Sequence, residues 1–217
     1  MNPFQVVRDL ETALCEYTGA PFAVTTNSCT MALQLAVAWH LRGQVRIEDG
    51  REWVEYKRTP IEIPKRTYVS VPMAIIHAGG RPTFRDHEWT AAYQLSPLNV
   101  FDAARWFTSD MYQLMGSGRG HMACVSFHSA KTLGDTQGGA ILHDNPEADA
   151  WLRRMRFDGR TEGVAPKDDT FREIGWHCYL SNDVAARLLL KLSVLPRHNE
   201  PLPNDDYPDL SAMEIFK

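Results

Sequence analysis

Between Phe22 and Leu41 a short apolar strand, Phe22-Ala-Val24, runs into a polar turn, Thr25-Thr-Asn-Ser-Cys-Thr30, and then into the run Met31–Leu41, apolar on almost every side. A helix that is apolar all round has to be buried. The unit therefore demands a layered fold, with the polar turn held at the end of a covered strand.

The rest of the chain continues the alternation. Residues 5–18 read as an amphipathic helix with Val6, Leu10, Ala13, Leu14 and Tyr17 on one side, ended by Gly19 and Pro21. A β-hairpin is expected over 44–57, with its turn at Asp49-Gly50. Strands follow at Ile61–Ile63, Arg81–Phe84, Asn99–Phe101, Met122–Phe127 and Ala140–Leu142, with a helix over about 70–78 between the first two. Asn145-Pro146 caps a helix that buries Ala148, Trp151, Leu152 and Met155. Ser181-Asn-Asp opens another, striped with Val184, Leu188, Leu192 and Leu195. Residues 199–217 carry prolines and no periodicity, and read as an extended or disordered arm.

At 217 residues, 44% apolar and 23% charged, the chain has material for a substantial core without disulfide or metal staples. Its apolar stretches are too short to span a bilayer, and its first residues lack the apolar core of a signal peptide. Four dispersed cysteines, with no Cys-x-x-Cys pair, fit a reducing, cytoplasmic setting. The net charge of −4 resides in the acidic 199–217 segment, so no basic footprint for nucleic acid stands out.

Candidate chemistry sits where strands end. Asn27-Ser-Cys-Thr30 opens a helix and can seat a phosphate, although Ser28 or Thr30 can equally serve as a plain N-cap. Asp102 ends an apolar strand, where a carboxylate must be paired or its pKa rises; a helix cap or a pair with Arg105 are the simpler alternatives. Lys131 lies in the loop after the 122–127 strand. It becomes reactive only if that loop folds inward, which Ser126, Gly134, Gly138 and Gly139 permit. Tyr68 can present a ring for stacking or simply fill core. His121 and His128 make no ligand spacing with Cys124, so no metal site is expected.

Five stretches in this order resemble the DegT/StrS-type family of pyridoxal phosphate (PLP)-dependent nucleotide-sugar aminotransferases. They are Ala23–Ala36, Ile61–Ser70, Ala78–Asp86, Val100-Phe-Asp-Ala-Ala104, and Ser126-Phe-His-Ser-Ala-Lys131 with Gly138-Gly139. A weaker likeness around Glu173–Tyr179 extends it to about residue 195. The resemblance implies a three-layer α-β-α fold with a mainly parallel sheet, the large domain of PLP fold type I. Residues 1–198 would form it with 44–57 inserted, the family's small C-terminal domain would be missing, and 199–217 would be an acidic proline-rich tail.

By the same resemblance, Lys131 forms a Schiff base with the cofactor and shuttles the proton, while Asp102 keeps the pyridine nitrogen protonated. Cys29 and Thr30, with the Ser126 hydroxyl, hold the phosphate, and Tyr68 and Ala104 cover the two ring faces. His177 occupies a position that reaches the cofactor across a dimer in the family. The implied reaction moves an amino group from glutamate to a keto-sugar nucleotide in a homodimer. Another PLP reaction, such as decarboxylation or amino-acid transfer, and a non-catalytic binding protein remain open.

The chain departs from the family pattern in several places. Only fifteen residues separate Asp86 from Asp102, where the family has a further strand–helix unit. Arg105 replaces a usual glutamine or histidine, His177 and Tyr179 replace an asparagine and an arginine, and Thr136-Gln137 stand where Gly-Glu is usual.

Overall fold

A computed structural model describes residues 4–48, 51–55, 59–116, 118, 120–204 and 206–217. Helix α1, Gln5–Thr18, ends on Gly19, whose N–H donates to the Cys15 carbonyl from the left-handed conformation (φ +75°). Its buried stripe is Val7, Leu10, Glu11, Leu14 and Thr18, turned from the expected one so that Val6, Ala13 and Tyr17 lie at its margin. Charge causes the rotation. The Glu11 carboxylate is drawn inward to Arg156 and Arg153, each 2.5 Å away, and accepts from Thr25 N–H at 2.9 Å.

Strand β1 (Phe22–Thr26) leads into α2 (Cys29–Leu41), which is buried nearly all round, as its composition requires. Strands β2 (Gln44–Glu48) and β3 (Arg51–Glu55) pair antiparallel; the expected turn at Asp49-Gly50 and the hairpin's end at 56–57 lie outside the described residues. Next, β4 (Pro60–Pro64), α3 (Ser70–His77) and β5 (Arg81–Arg85) make a parallel β-α-β unit. Strands β6 (Tyr93–Gln94) and β7 (Val100–Asp102), helix α4 (Met111–Leu114), strands β8 (Met122–Ser126) and β9 (Gly139–His143), and helices α5 (Pro146–Met155) and α6 (Asn182–Ser193) complete the order.

The main sheet runs β1-β9-β8-β7-β6. It meets the β4–β5 pair through reciprocal hydrogen bonds between Glu62 and Ser96, at 2.7 and 3.1 Å. The segment 93–96 thus bridges the seam where the resemblance leaves a strand–helix unit missing. Alternating side chains feed two cores: Met122 and Cys124 of β8 face the layer of α2, α3 and α5, while Ala123 and Val125 face α1 and α6. The architecture is α/β in three layers.

The sheet is mixed, less parallel than expected. Pairs β7–β8 and β4–β5 are parallel; β1–β9, β8–β9 and β6–β7 are antiparallel. Parallel neighbours need a crossover that carries the chain back along the sheet. The loop 127–138 contains no helix to do so, and β9 returns alongside β8 in the opposite direction.

Beyond α6 the chain runs extended, with 3-10 turns at Leu210–Ala212 and Glu214–Phe216, and it packs on the body through Leu210, which is fully buried. No helix among the described residues is long and apolar enough to cross a membrane.

Candidate active site

The ends of β7 and β8, the start of β9 and the first turns of α2 and α3 converge on a cavity of about 350 Å³. Seven of the eight residues singled out from sequence line it: Cys29, Thr30, Tyr68, Asp102, Ala104, Ser126 and Lys131. His177 does not. Its ring is 70% exposed and pairs with Asp158 at 2.9 Å, because the bridge between Phe157 and residue 177 holds it on the outside of its own chain.

The turn before α2 does two jobs. Ser28 Oγ caps the helix by accepting from Met31 N–H (3.2 Å), which leaves the amides of Cys29 and Thr30 as first-turn donors with no acceptor inside the helix. Thr30 Oγ1 lies 2.8 Å from Ser70 Oγ, tying the start of α2 to the start of α3. Two helix N-termini therefore open on the same space, and their dipoles make it favourable for an anion. Gly139 permits this closeness: a Cβ there would lie 2.6 Å from Cys29 N.

Asp102 is 5% exposed, and both its oxygens are engaged. Ala104 N–H donates to Oδ1 (2.9 Å), and the Tyr93 hydroxyl donates to Oδ2 (2.8 Å) while standing 2.6 Å from Thr67 Oγ1. Burial lifts the Asp102 carboxyl above its ordinary range; Ala104, Tyr93 and the Lys131 charge each pull it back. The alternative pairing with Arg105 is not made. That guanidinium turns to the Pro203 carbonyl and the Tyr207 hydroxyl.

The Lys131 loop is folded inward. Lys131 N–H donates to His128 O (2.8 Å), and Asp135 N–H donates to Phe127 O (2.8 Å). Asp135 fastens the loop to α6 through Arg187 (2.9 Å) and Lys191 (2.7 Å), and those two cations hold its carboxyl well below the usual carboxylate range. A Cβ on Gly134 would strike the carbonyls of Lys131 and Ser129 at 2.7 Å, so the tight path of this loop requires glycine there. Ser126 Oγ accepts from His128 N–H at 3.3 Å. Burial, then Asp102, pushes the Cys29 thiol well up, leaving it protonated and a poor nucleophile.

Several lining residues escaped sequence reasoning: Thr67, Ser70, Trp89 and Tyr207 in the wall, with Tyr93 behind Asp102. Trp89 and Tyr207 stack with centroids 6.4 Å apart, although their positions lie far apart in the chain. No local pattern marks them. Only the hydroxyls of Thr67 and Ser70, flanking Tyr68 on a strand-to-helix turn, carried a usable signal.

The chain matches the DegT/DnrJ/EryC1/StrS aminotransferase family over residues 2–103 and 97–201. It belongs to this family. DegT-family proteins are PLP-dependent sugar aminotransferases of fold type I.

A curated relative, the UDP-4-amino-4,6-dideoxy-N-acetyl-beta-L-altrosamine transaminase of Campylobacter jejuni, is 24% identical over 212 residues, which cover 84% of this chain and 54% of the relative. Among solved structures, AtS13 from Actinomadura melliaura superposes with a TM-score of 0.67 at 19% identity, covering 89% of this chain and 61% of that one. DesV from S. venezuelae, solved with a ketimine intermediate, gives 0.65 at 20%, covering 88% and 57%. NtdA from Bacillus subtilis, solved with bound cofactor PMP, gives 0.63 at 17%, covering 88% and 48%. The chain thus spans about half the length of the curated relative it matches.

The residues present fit a PLP-type cofactor. A buried carboxylate, a lysine on a glycine-tightened loop and two helix N-termini for an anion meet in one cavity of suitable size.

Proposed function

We propose that this DegT-family chain is a PLP-dependent aminotransferase that moves an amino group from glutamate to a keto-sugar nucleotide, with Lys131 as its reactive amine. The observation carrying this reading is the meeting of Lys131 and Asp102, from separate strand ends, in the cavity that also takes the first turns of α2 and α3. The cofactor supplies an electron sink for the substrate carbon.

The chain's own residues have separate tasks. The Cys29 and Thr30 amides, with the hydroxyls of Thr30 and Ser126, bind the phosphate. Asp102 holds a proton on the pyridine nitrogen, and the Ala104 and Tyr93 donors keep it anionic enough to do so. Tyr68 and Ala104 cover the two ring faces. The Lys131 amine, held by its loop beside Asp102, anchors the cofactor and moves the proton at the substrate carbon. His177 has access to a site only across a dimer interface, so its role belongs to a homodimer. The four free thiols fit a reducing, cytoplasmic setting.

The test is the visible spectrum of the protein with added PLP, for wild type and Lys131→Ala, before and after borohydride. A yellow complex that borohydride bleaches and fixes covalently at Lys131 supports the reading; formation of 2-oxoglutarate from added glutamate then identifies the donor. No yellow complex in wild type overturns it and leaves a binding protein on this fold.

A further inference from the structure

We infer that Tyr207 is a specificity-determining residue, the size filter of the cavity, carried there by a strap that Arg105 and Lys65 fasten at its two ends. The inference deepens the functional reading above and rests on it for what passes the filter; the filter itself rests on the fold.

The strap is built from sequence that has no pattern of its own, and its course is set by contacts on both sides of Tyr207. Upstream, Leu202 N–H donates to the Arg105 carbonyl (2.8 Å), and the buried Arg105 guanidinium donates to the Pro203 carbonyl. Downstream, Leu210 N–H donates to the Lys65 carbonyl (2.8 Å), the Lys65 ammonium pairs with Asp209 (3.3 Å) and Asp86 (2.8 Å), and the Leu210 side chain is fully buried. Between these anchors Arg66 donates to the Tyr207 carbonyl (3.1 Å), and Arg105 Nη1 lies 3.4 Å from the Tyr207 hydroxyl.

The ring so placed stacks on Trp89, which is itself held by Arg66 O (3.0 Å) and by Asn204 (2.5 Å). Both anchors attach next to residues of the cavity, Arg105 following Ala104 and Lys65 just before Thr67 and Tyr68. Trp89 against its face and Arg105 at its hydroxyl hold the ring, and the anchors on either side hold the backbone that carries it, so the ring is a wall and not a passing contact. An aromatic wall of fixed position excludes by shape: it admits a flat ring with a compact substituent and turns away a bulky one.

Cys29 lines the same cavity and gives a readout that needs no cofactor. Because the Cys29 thiol stays protonated and reacts slowly, the readout is the ratio of its rates with two reagents, in which its own low reactivity cancels. The protein is alkylated to low conversion under native conditions at pH 9 with iodoacetamide or with a pyrene-bearing iodoacetamide, and each cysteine is followed by peptide mass spectrometry. Cys15, half-buried on α1, is the internal standard; Cys124 and Cys178, both buried, stay unmodified while the fold is intact. Tyr207→Ala is expected to raise the bulky reagent's rate at Cys29 roughly tenfold relative to iodoacetamide, with Cys15 unchanged, and Tyr207→Leu to give a smaller rise. An unchanged ratio in both folded variants overturns the filter. Protection of Cys29 by added PLP is read in parallel. Lack of protection with the Tyr207 effect intact counts against the cofactor reading alone, and protection without the Tyr207 effect counts against the filter alone.

Discussion

The phenol of Tyr93 donates to Asp102 Oδ2 across 2.8 Å, from the neighbouring strand of the sheet and fully within the protein. Ala104 N–H approaches the other oxygen, so the carboxylate keeps two fixed donors in a place where burial alone would neutralise it. Short strand β6, which fills the seam beside β7, is thereby also the support of the charged group at the cavity floor.

Tyr93→Phe removes the donor that favours the ionised form. Stability should fall by about 1–2 kcal/mol. The loss should be larger at pH 8 than at pH 4, because Asp102, with its carboxyl raised by burial, is the more protonated at the lower pH and the neutral form relies less on the donor. Urea denaturation at the two pH values measures this, and equal losses would contradict the assigned hydrogen bond.

Gly139→Ala forces a Cβ against the backbone of Ser28 and Cys29, at 2.6–2.8 Å. Backbone cannot swing aside as a long side chain can, and the expected cost is about 3 kcal/mol. Gly79→Ala is the comparison: a Cβ there meets nothing within 4 Å, and only the positive φ is penalised, by about 1 kcal/mol. Thermal melts of the two variants should differ in that order, and under the proposed phosphate-binding role of the Ser28–Thr30 turn, Gly139→Ala should also bind inorganic phosphate more weakly than wild type.

Asp135 ties the Lys131 loop to α6, and its carboxyl is held below the ordinary range by Arg187 and Lys191. A depressed acid contributes stability above its unfolded pKa, and this contribution fades as pH falls through the folded value. Wild type should therefore lose stability progressively below about pH 4, and Asp135→Asn should show a lower melting temperature at pH 7 with a flatter acid limb. Parallel acid limbs in the two proteins would remove this role from Asp135.

Glu11 neutralises Arg156, of which only 2% of the side chain is exposed, and also meets Arg153. Glu11→Gln leaves the buried Arg156 cation with Glu162, at 2.8 Å, as its one remaining ion-pair partner among the described residues. Breaking such a pair from one side costs about 3–5 kcal/mol. Chemical denaturation should show that loss, while the double variant Glu11→Leu with Arg156→Met should recover much of it.

The strand–turn–helix unit at 22–41, the strand ends at Asp102 and Ser126, and the glycine-bounded Lys131 loop were legible in the sequence. Each is a local matter of burial periodicity, capping or steric room, settled within a few residues along the chain. The tertiary structure alone decided the inward turn of Glu11, the antiparallel return of β9, the exterior place of His177 and the wall made by Trp89 and Tyr207. These depend on partners far away in sequence: Arg156 meets Glu11 from 145 residues along the chain, and Arg105 meets Tyr207 from 102. Such pairings form because packing and charge neutralisation inside the folded body favour them, and no periodicity or cap near either residue encodes its partner.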